Sequence, residues 1–298
     1  MKNKLLAAVS IAGLALTSVS SANAADLMDA PTKYRTISGV VDLYVGSFMT
    51  DSEAYSTDGE EDSLIFGGGA LVDIPFNENW SVQLDLGGES KAGSDYLDDL
   101  TSSDENLASI VAGGHLNYRE MDRFLMGAFG GFGMLYQDES PTDQYVAGLE
   151  GQYYMDNITL YGQLGFIGGS NDDEDSLDEG IFVRGVGRFF LSPHQKLQAQ
   201  IEYVAGEADD DDMDILGWGV EYEHQFANWD QDGGMSGYIK YKGHNADSDG
   251  EETTDHRIVV GIKLVLYSGS LLERDRSGAS LSLPDFHHWG AIACALSC

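Results

Sequence analysis

Residues 197–224 read LQAQIEYVAGEADDDDMDILGWGVEYEH. The first nine alternate, with Leu197, Ala199, Ile201, Tyr203 and Ala205 on one side and Gln198, Gln200 and Glu202 on the other. That is the period of a half-buried β-strand. A second strand-like stretch begins at Ile215, and between the two Glu207 to Asp214 carries six carboxylates without a lysine or arginine. Charges of one sign packed so closely repel each other, so this segment reads as a solvated loop between two strands.

The pattern recurs along the chain. WSVQLDLG (80–87) sets Trp80, Val82, Leu84 and Leu86 against Ser81, Gln83 and Asp85, and NITLYGQLGF (157–166) sets Ile158, Leu160, Leu164 and Phe166 against Thr159, Tyr161 and Gln163. Twelve such segments are expected near 37–49, 63–75, 80–89, 107–118, 124–136, 145–155, 158–167, 181–190, 197–206, 215–224, 235–243 and 256–267. Their connections alternate in character. FNEN, REMDR, Asp156-Asn157, LSPHQK and QFANWDQDGG are short or neutral and contain turn residues. The intervening spans 51–62, 89–106, 137–144, 168–180, 207–214 and 244–255 hold 32 of the 50 acids, with Lys91 their sole lysine or arginine. In a soluble sandwich both ends meet the same water, and nothing would sort the loops this way. A closed barrel crossing a membrane does sort them, with tight turns at its periplasmic end and longer loops outside.

The N-terminal stretch MKNKLLAAVSIAGLALTSVSSANA (1–24) has a basic start, a short apolar run and small residues at its end. It reads as a secretory signal peptide rather than a membrane anchor. With 16 Lys+Arg against 50 Asp+Glu, the chain is too acidic to bind nucleic acid electrostatically.

In its signal peptide, alternating strands, turn and loop pattern and glycine- and aromatic-rich composition, the chain from residue 1 to about 267 resembles the porin-like outer-membrane β-barrel proteins of Gram-negative bacteria. The resemblance is architectural and points to no particular member. It implies an all-β, up-and-down antiparallel transmembrane barrel of about 12 strands over 25–267, in the bacterial outer membrane. Aromatic residues fit two interfacial girdles, with Phe76, Trp80, Tyr154, Phe189, Phe190 and Phe226 near the short turns, and Phe48, Tyr145, Phe166, Phe182 and Tyr203 near the acidic ends. The apolar face would then meet lipid and the polar face the lumen.

That inner face is expected to line a pore with Asp42, Asp73, Asp85, Glu150, Arg184, Arg188, Glu202, Glu221, Glu223, Lys240, Lys242, Arg257 and Lys263. Two readings follow. Opposed charges across water would sieve small solutes, whereas charges paired across a narrow interior would close it. Twelve strands lie between barrels filled by side chains and barrels that leave an aqueous channel. Inward glycines, Gly113, Gly148 and Gly165 among them, leave space and favour a narrow pore. FLMGAFGGFGML (124–135) is apolar on both faces, so its inner residues could obstruct part of the section.

The acidic loops form the expected vestibule, in particular Asp172, Asp173, Glu174 and Asp175, and Asp209, Asp210, Asp211 and Asp212. They would concentrate cations at the mouth and meet lipopolysaccharide phosphates through loosely held divalent ions. HNADSDGEETTDH (244–256) approaches a calcium loop, but His256 stands where the bidentate glutamate belongs. No specific metal site or cofactor is expected. No histidine falls in a nucleophile motif, and only about a dozen residues separate the leader from the first strand, so neither an enzyme nor a translocator with a passenger is expected. The expected function is a narrow diffusion channel, cation-preferring or for small neutral solutes. The alternative is a closed structural or adhesion barrel whose acidic loops bind divalent cations or surface partners.

Residues 268–298 depart from the resemblance, because barrels of this kind commonly end in their last strand. They are expected as a tail on the periplasmic side rather than as a helical plug, with Cys294 and Cys298 able to pair there.

Overall fold

The structure is a computed structural model that describes residues 35–52, 60–92, 108–137, 140–170, 177–208, 211–228, 233–248, 251–266 and 269–297. The expected signal peptide and most of the acidic vestibule, including Asp172 to Asp175, Asp209 and Asp210, lie outside these residues. The described strands are β1 (Ser38–Ser52), β2 (Glu60–Pro75), β3 (Trp80–Ala92), β4 (Ala108–Glu120), β5 (Phe124–Gln137) and β6 (Ser140–Met155). They continue as β7 (Ile158–Ser170), β8 (Leu177–Ser192), β9 (Gln195–Ala208), β10 (Asp211–Asn228), β11 (Gly233–Ser248) and β12 (Glu251–Leu266). Each pairs antiparallel with its neighbours in sequence, and β1 pairs with β12 from Gly39 opposite Leu266 to Ser52 opposite Thr253. The sheet therefore has no free edge, the condition for a strand structure in lipid.

Alternation decides which way each strand faces. In β7, Leu164 is 60% exposed and its neighbour Gln163 only 3%. Leu149, Val183, Ile201 and Val220 are likewise turned out on neighbouring strands, which makes an apolar belt suited to hydrocarbon. Phe76, Trp80, Tyr153 and Phe226 are exposed beside the short turns, and Tyr145, Phe166 and Tyr203 towards the other end. Four residues expected in the girdles point inward instead: Phe48, Tyr154, Phe182 and Phe190 are buried. An aromatic residue near an interface belongs to the belt only when its strand parity is outward.

The turn end is tight. Asn77 Oδ1 accepts from the amides of Asn79 and Trp80, each at 2.9 Å. Asp122 and Asp156 hold left-handed backbone (φ 67° and 32°), a conformation that aspartate tolerates in turns. At the opposite end the strands run further than the apolar pattern indicates. The acidic stretch 207–214 is mostly strand: Glu207 pairs with Asp212 across β9 and β10, Met213 is buried inside, and Asp212 and Asp214 face outward. Charge repulsion excludes these residues from a core but not from a solvated wall standing above the membrane.

An arginine on the belt should be costly. Leu164→Arg, in the middle of β7, is expected to destabilise the folded barrel by about 2–4 kcal/mol, measured by reversible denaturant unfolding in lipid vesicles.

Candidate functional site

After β12 the chain turns back and runs through the barrel. It forms a short helix α1 (Leu271–Ser277), an irregular segment over 278–285, and a second helix α2 (Phe286–Ser297). The sequence reading placed this tail outside the lumen, whereas its residues pack against inner-wall side chains from the turn end almost to the loop end. Ser270 caps α1 by accepting from the Glu273 amide at 3.1 Å, and Arg274 and Arg276 occupy the last turn, where cations suit the helix dipole. At the turn end Arg276 donates to the carbonyls of Asp156 (3.1 Å) and Ile158 (3.0 Å). Asp275 accepts from Arg188 Nη1 at 2.6 Å. Burial alone would raise the Asp275 carboxyl, but Arg188 and the Thr159 hydroxyl hold it below the usual carboxylate value.

The irregular segment has no helix or sheet to satisfy its backbone, and the barrel supplies the partners. Arg119 donates to Gly278 O (3.0 Å), and Ser38 Oγ accepts from the Ala279 amide (2.9 Å). Arg188 donates to Ser280 O (2.9 Å), and Gln163 to Ser282 O (3.0 Å). Gln83 serves both sides of Leu281, accepting from its amide at 3.1 Å and donating to its carbonyl at 2.9 Å. Buried backbone needs such partners.

Glycines on the inner wall make room for the tail. A Cβ at Gly113 would stand 2.8 Å from Leu283 Cδ1, and one at Gly133 would stand 2.8 Å from Phe286 Cε2. The space expected to be open is thus partly filled by Leu283 and Phe286. Phe286, Trp289 and Ile292 of α2 join Phe129, Val146 and Phe182 of the wall in one apolar cluster. The inner residues of β5 give the tail a surface to pack on.

All thirteen residues expected to line a pore lie on the inner wall, and most are paired. Glu223 binds Lys196 (2.7 Å), Arg274 (3.0 Å) and Lys263 (3.2 Å), and Glu221 binds Lys196 and Lys263, both at 3.1 Å. His115 lies between Glu150 (2.8 Å) and Asp85 (3.1 Å). Arg35, just before β1, reaches Asp73 at 2.6 Å; burial lowers its guanidinium to about 10, against the pull of Asp73. Lys242 pairs with Asp285 of the tail. Two acids counted with the loops also turn inward: Glu89 pairs with Arg257, and Asp255 meets histidines. A cavity of about 250 Å³ remains beside the tail, with Asp42, Tyr44, Lys240, Lys242, Arg257 and Lys263 on its wall.

Nearer the loop end, His244 on β11 stands opposite Asp255 on β12. Its Nδ1 is 3.0 Å from Asp255 Oδ1 and its Nε2 is 3.1 Å from Glu202 Oε1. His288 of α2 places Nε2 3.0 Å from Asp255 Oδ2, and Trp289 Nε1 donates to Glu202 Oε1 at 3.1 Å. Sequence reading missed this group, because its members come from three strands and a tail that it placed elsewhere.

No protein-family model and no curated protein matches the chain. Solved structures do. An outer membrane channel from Pseudomonas putida F1 superposes with a TM-score of 0.53 at 11% identity, covering 80% of this chain and 100% of that one. The translocator domain of autotransporter NalP from Neisseria meningitidis gives 0.46 at 14% identity, over 87% and 97% of the two chains. A KdgM porin in complex with disordered oligogalacturonate gives 0.42 at 13%, over 76% and 98%. The chain has the fold of an outer-membrane β-barrel. Its apolar belt and closed sheet suit it to a lipid bilayer.

Cutting one anchor of the tail should loosen it. Arg188→Ala leaves buried Asp275 with one cation contact, the longer one to Arg276 at 3.8 Å, a loss below the roughly 3–5 kcal/mol of a fully orphaned partner. The expected outcome is faster tryptic cleavage after Arg274 and Arg276 in the folded barrel, read by mass spectrometry of the released tail.

Proposed function

We propose that this outer-membrane barrel is a small-solute channel whose own C-terminal segment stops the lumen, so that passage requires the tail to shift or leave. The observation that carries this reading is the chemistry of the wall behind the tail. A barrel filled for good needs no buried ions, since well-packed apolar residues of similar volume stabilise as well or better. This wall instead holds Glu221, Glu223, Lys240, Lys242, Arg257 and Lys263, some of them beside the 250 Å³ cavity. Water can rehydrate such a surface once the tail moves, whereas an apolar one would collapse. The fold shared with a protein described as an outer membrane channel supports the same reading.

Selectivity is assigned to the mouth. Glu179, Glu207, Asp212, Asp214, Asp247 and Glu252 are exposed at the loop end, and the acidic spans beyond them carry more negative charge. They would raise the local cation concentration at low salt and bridge through divalent ions to lipopolysaccharide phosphates. Small cations and neutral solutes are therefore the proposed cargo. The second reading, a closed structural or adhesion barrel with a functional acidic rim, is favoured by the number of contacts holding the tail.

Planar-bilayer recording separates the two. The full chain should be silent or open rarely, and a variant lacking 269–298 should conduct steadily, with a cation-selective reversal potential that fades as salt rises. A folded but silent deletion variant would overturn the channel and leave the structural barrel. Anion selectivity would move the filter from the rim to the lumen bases.

A further inference from the structure

The group His244, Asp255 and His288 is buried, and one donor atom from each lies within 4.8 Å of the others. Two imidazole nitrogens and a carboxylate oxygen are the donor set that zinc and similar divalent transition metals take in tetrahedral sites, at about 2.0–2.2 Å. The contacts of 3.0 Å from each histidine to Asp255 already approach the donor spacing that such a sphere needs.

The surroundings fit as well. A metal-bound histidine almost always gives its second ring N–H to a carboxylate or carbonyl, which fixes its orientation and raises its basicity. If Nδ1 of His244 takes the metal, its Nε2 is already 3.1 Å from Glu202 Oε1, and that oxygen is held in turn by the Trp289 indole. Two of the three ligands face each other across β11 and β12, where the sheet sets their separation. The third stands on the tail helix. From these positions we infer that His244, Asp255 and His288 form a transition-metal site that latches the tail to the barrel wall. This rests on the reading of the tail as a stopper, and it adds a means of control: the metal would hold the barrel shut.

The metal takes a lone pair from each histidine and one from Asp255; a proton on a ligating ring nitrogen moves to the ring's other nitrogen, or leaves to solvent where the ring carries two, so each histidine ligand is a neutral imidazole. Water or a second carboxylate oxygen completes the fourth position. His244 and Asp255 belong to the loop-side part of their strands, four positions or fewer from Ser248 and Glu251.

The test uses the full chain refolded in detergent and stripped with chelator, with cobalt(II) as the probe. One ion per barrel should bind with the intense visible bands of a four-coordinate site, and zinc should displace it. His288→Ala should weaken cobalt binding at least 100-fold, with the barrel still folded by circular dichroism; His288→Gln serves if the alanine variant misfolds. Zinc should also slow tryptic release of the tail in the unaltered chain and have no effect in the His288 variant. Absence of four-coordinate bands, or bands that persist without His288 and without His244, would overturn the site. The two readings fail separately. A folded deletion variant that stays silent, with cobalt bound normally by the full chain, removes the channel and keeps the site. A conducting deletion variant, with no cobalt bound by the full chain, does the reverse.

Discussion

Hydrocarbon offers nothing to a backbone N–H or C=O, and the rest of this structure follows from that constraint. A sheet in lipid has to close, and the pairing of β1 with β12 closes it. Closure divides the side chains into two populations by strand parity alone, one facing lipid and one facing whatever fills the centre. The same constraint governs the tail. Its stretch over 278–285 is neither helix nor strand, and irregular backbone at membrane depth is tolerated where protein or water can serve it. Here Ser38, Gln83, Arg119, Gln163 and Arg188 replace a ladder.

The fold was legible because its signals are local. Alternation in residues such as Ile158 to Phe166, and acids gathered in every second connection, need no knowledge of distant contacts. Strand ends were less clear, since Asp211 to Asp214 look like loop by charge and are strand by hydrogen bonding. Repulsion between carboxylates penalises burial, not an extended backbone in water.

The interior was half legible. Parity placed the thirteen charged residues expected in the lumen on the inner face, but a polar inner face looks the same whether water or a polar peptide lies against it. Gly113 illustrates the ambiguity: it was read as free space, and it is clearance for Leu283. Signals for the tail were present in Ser270-Leu271-Leu272-Glu273, a capping box, and in a run over 286–297 that is apolar on nearly all sides, as a buried helix is. Nothing local says where such a helix docks. The cluster around Asp255 was hidden for the same reason, because His288 is 33 residues away in the chain.

The tail is continuous with the last strand, with only 267–270 between β12 and α1. A stopper on so short a leash never leaves its socket's neighbourhood: flexible short tethers hold a detached group at effective concentrations of about millimolar. Recapture then depends on neither protein abundance nor any partner, and a free peptide of the same sequence would compete poorly against it. Each barrel carries its own cork.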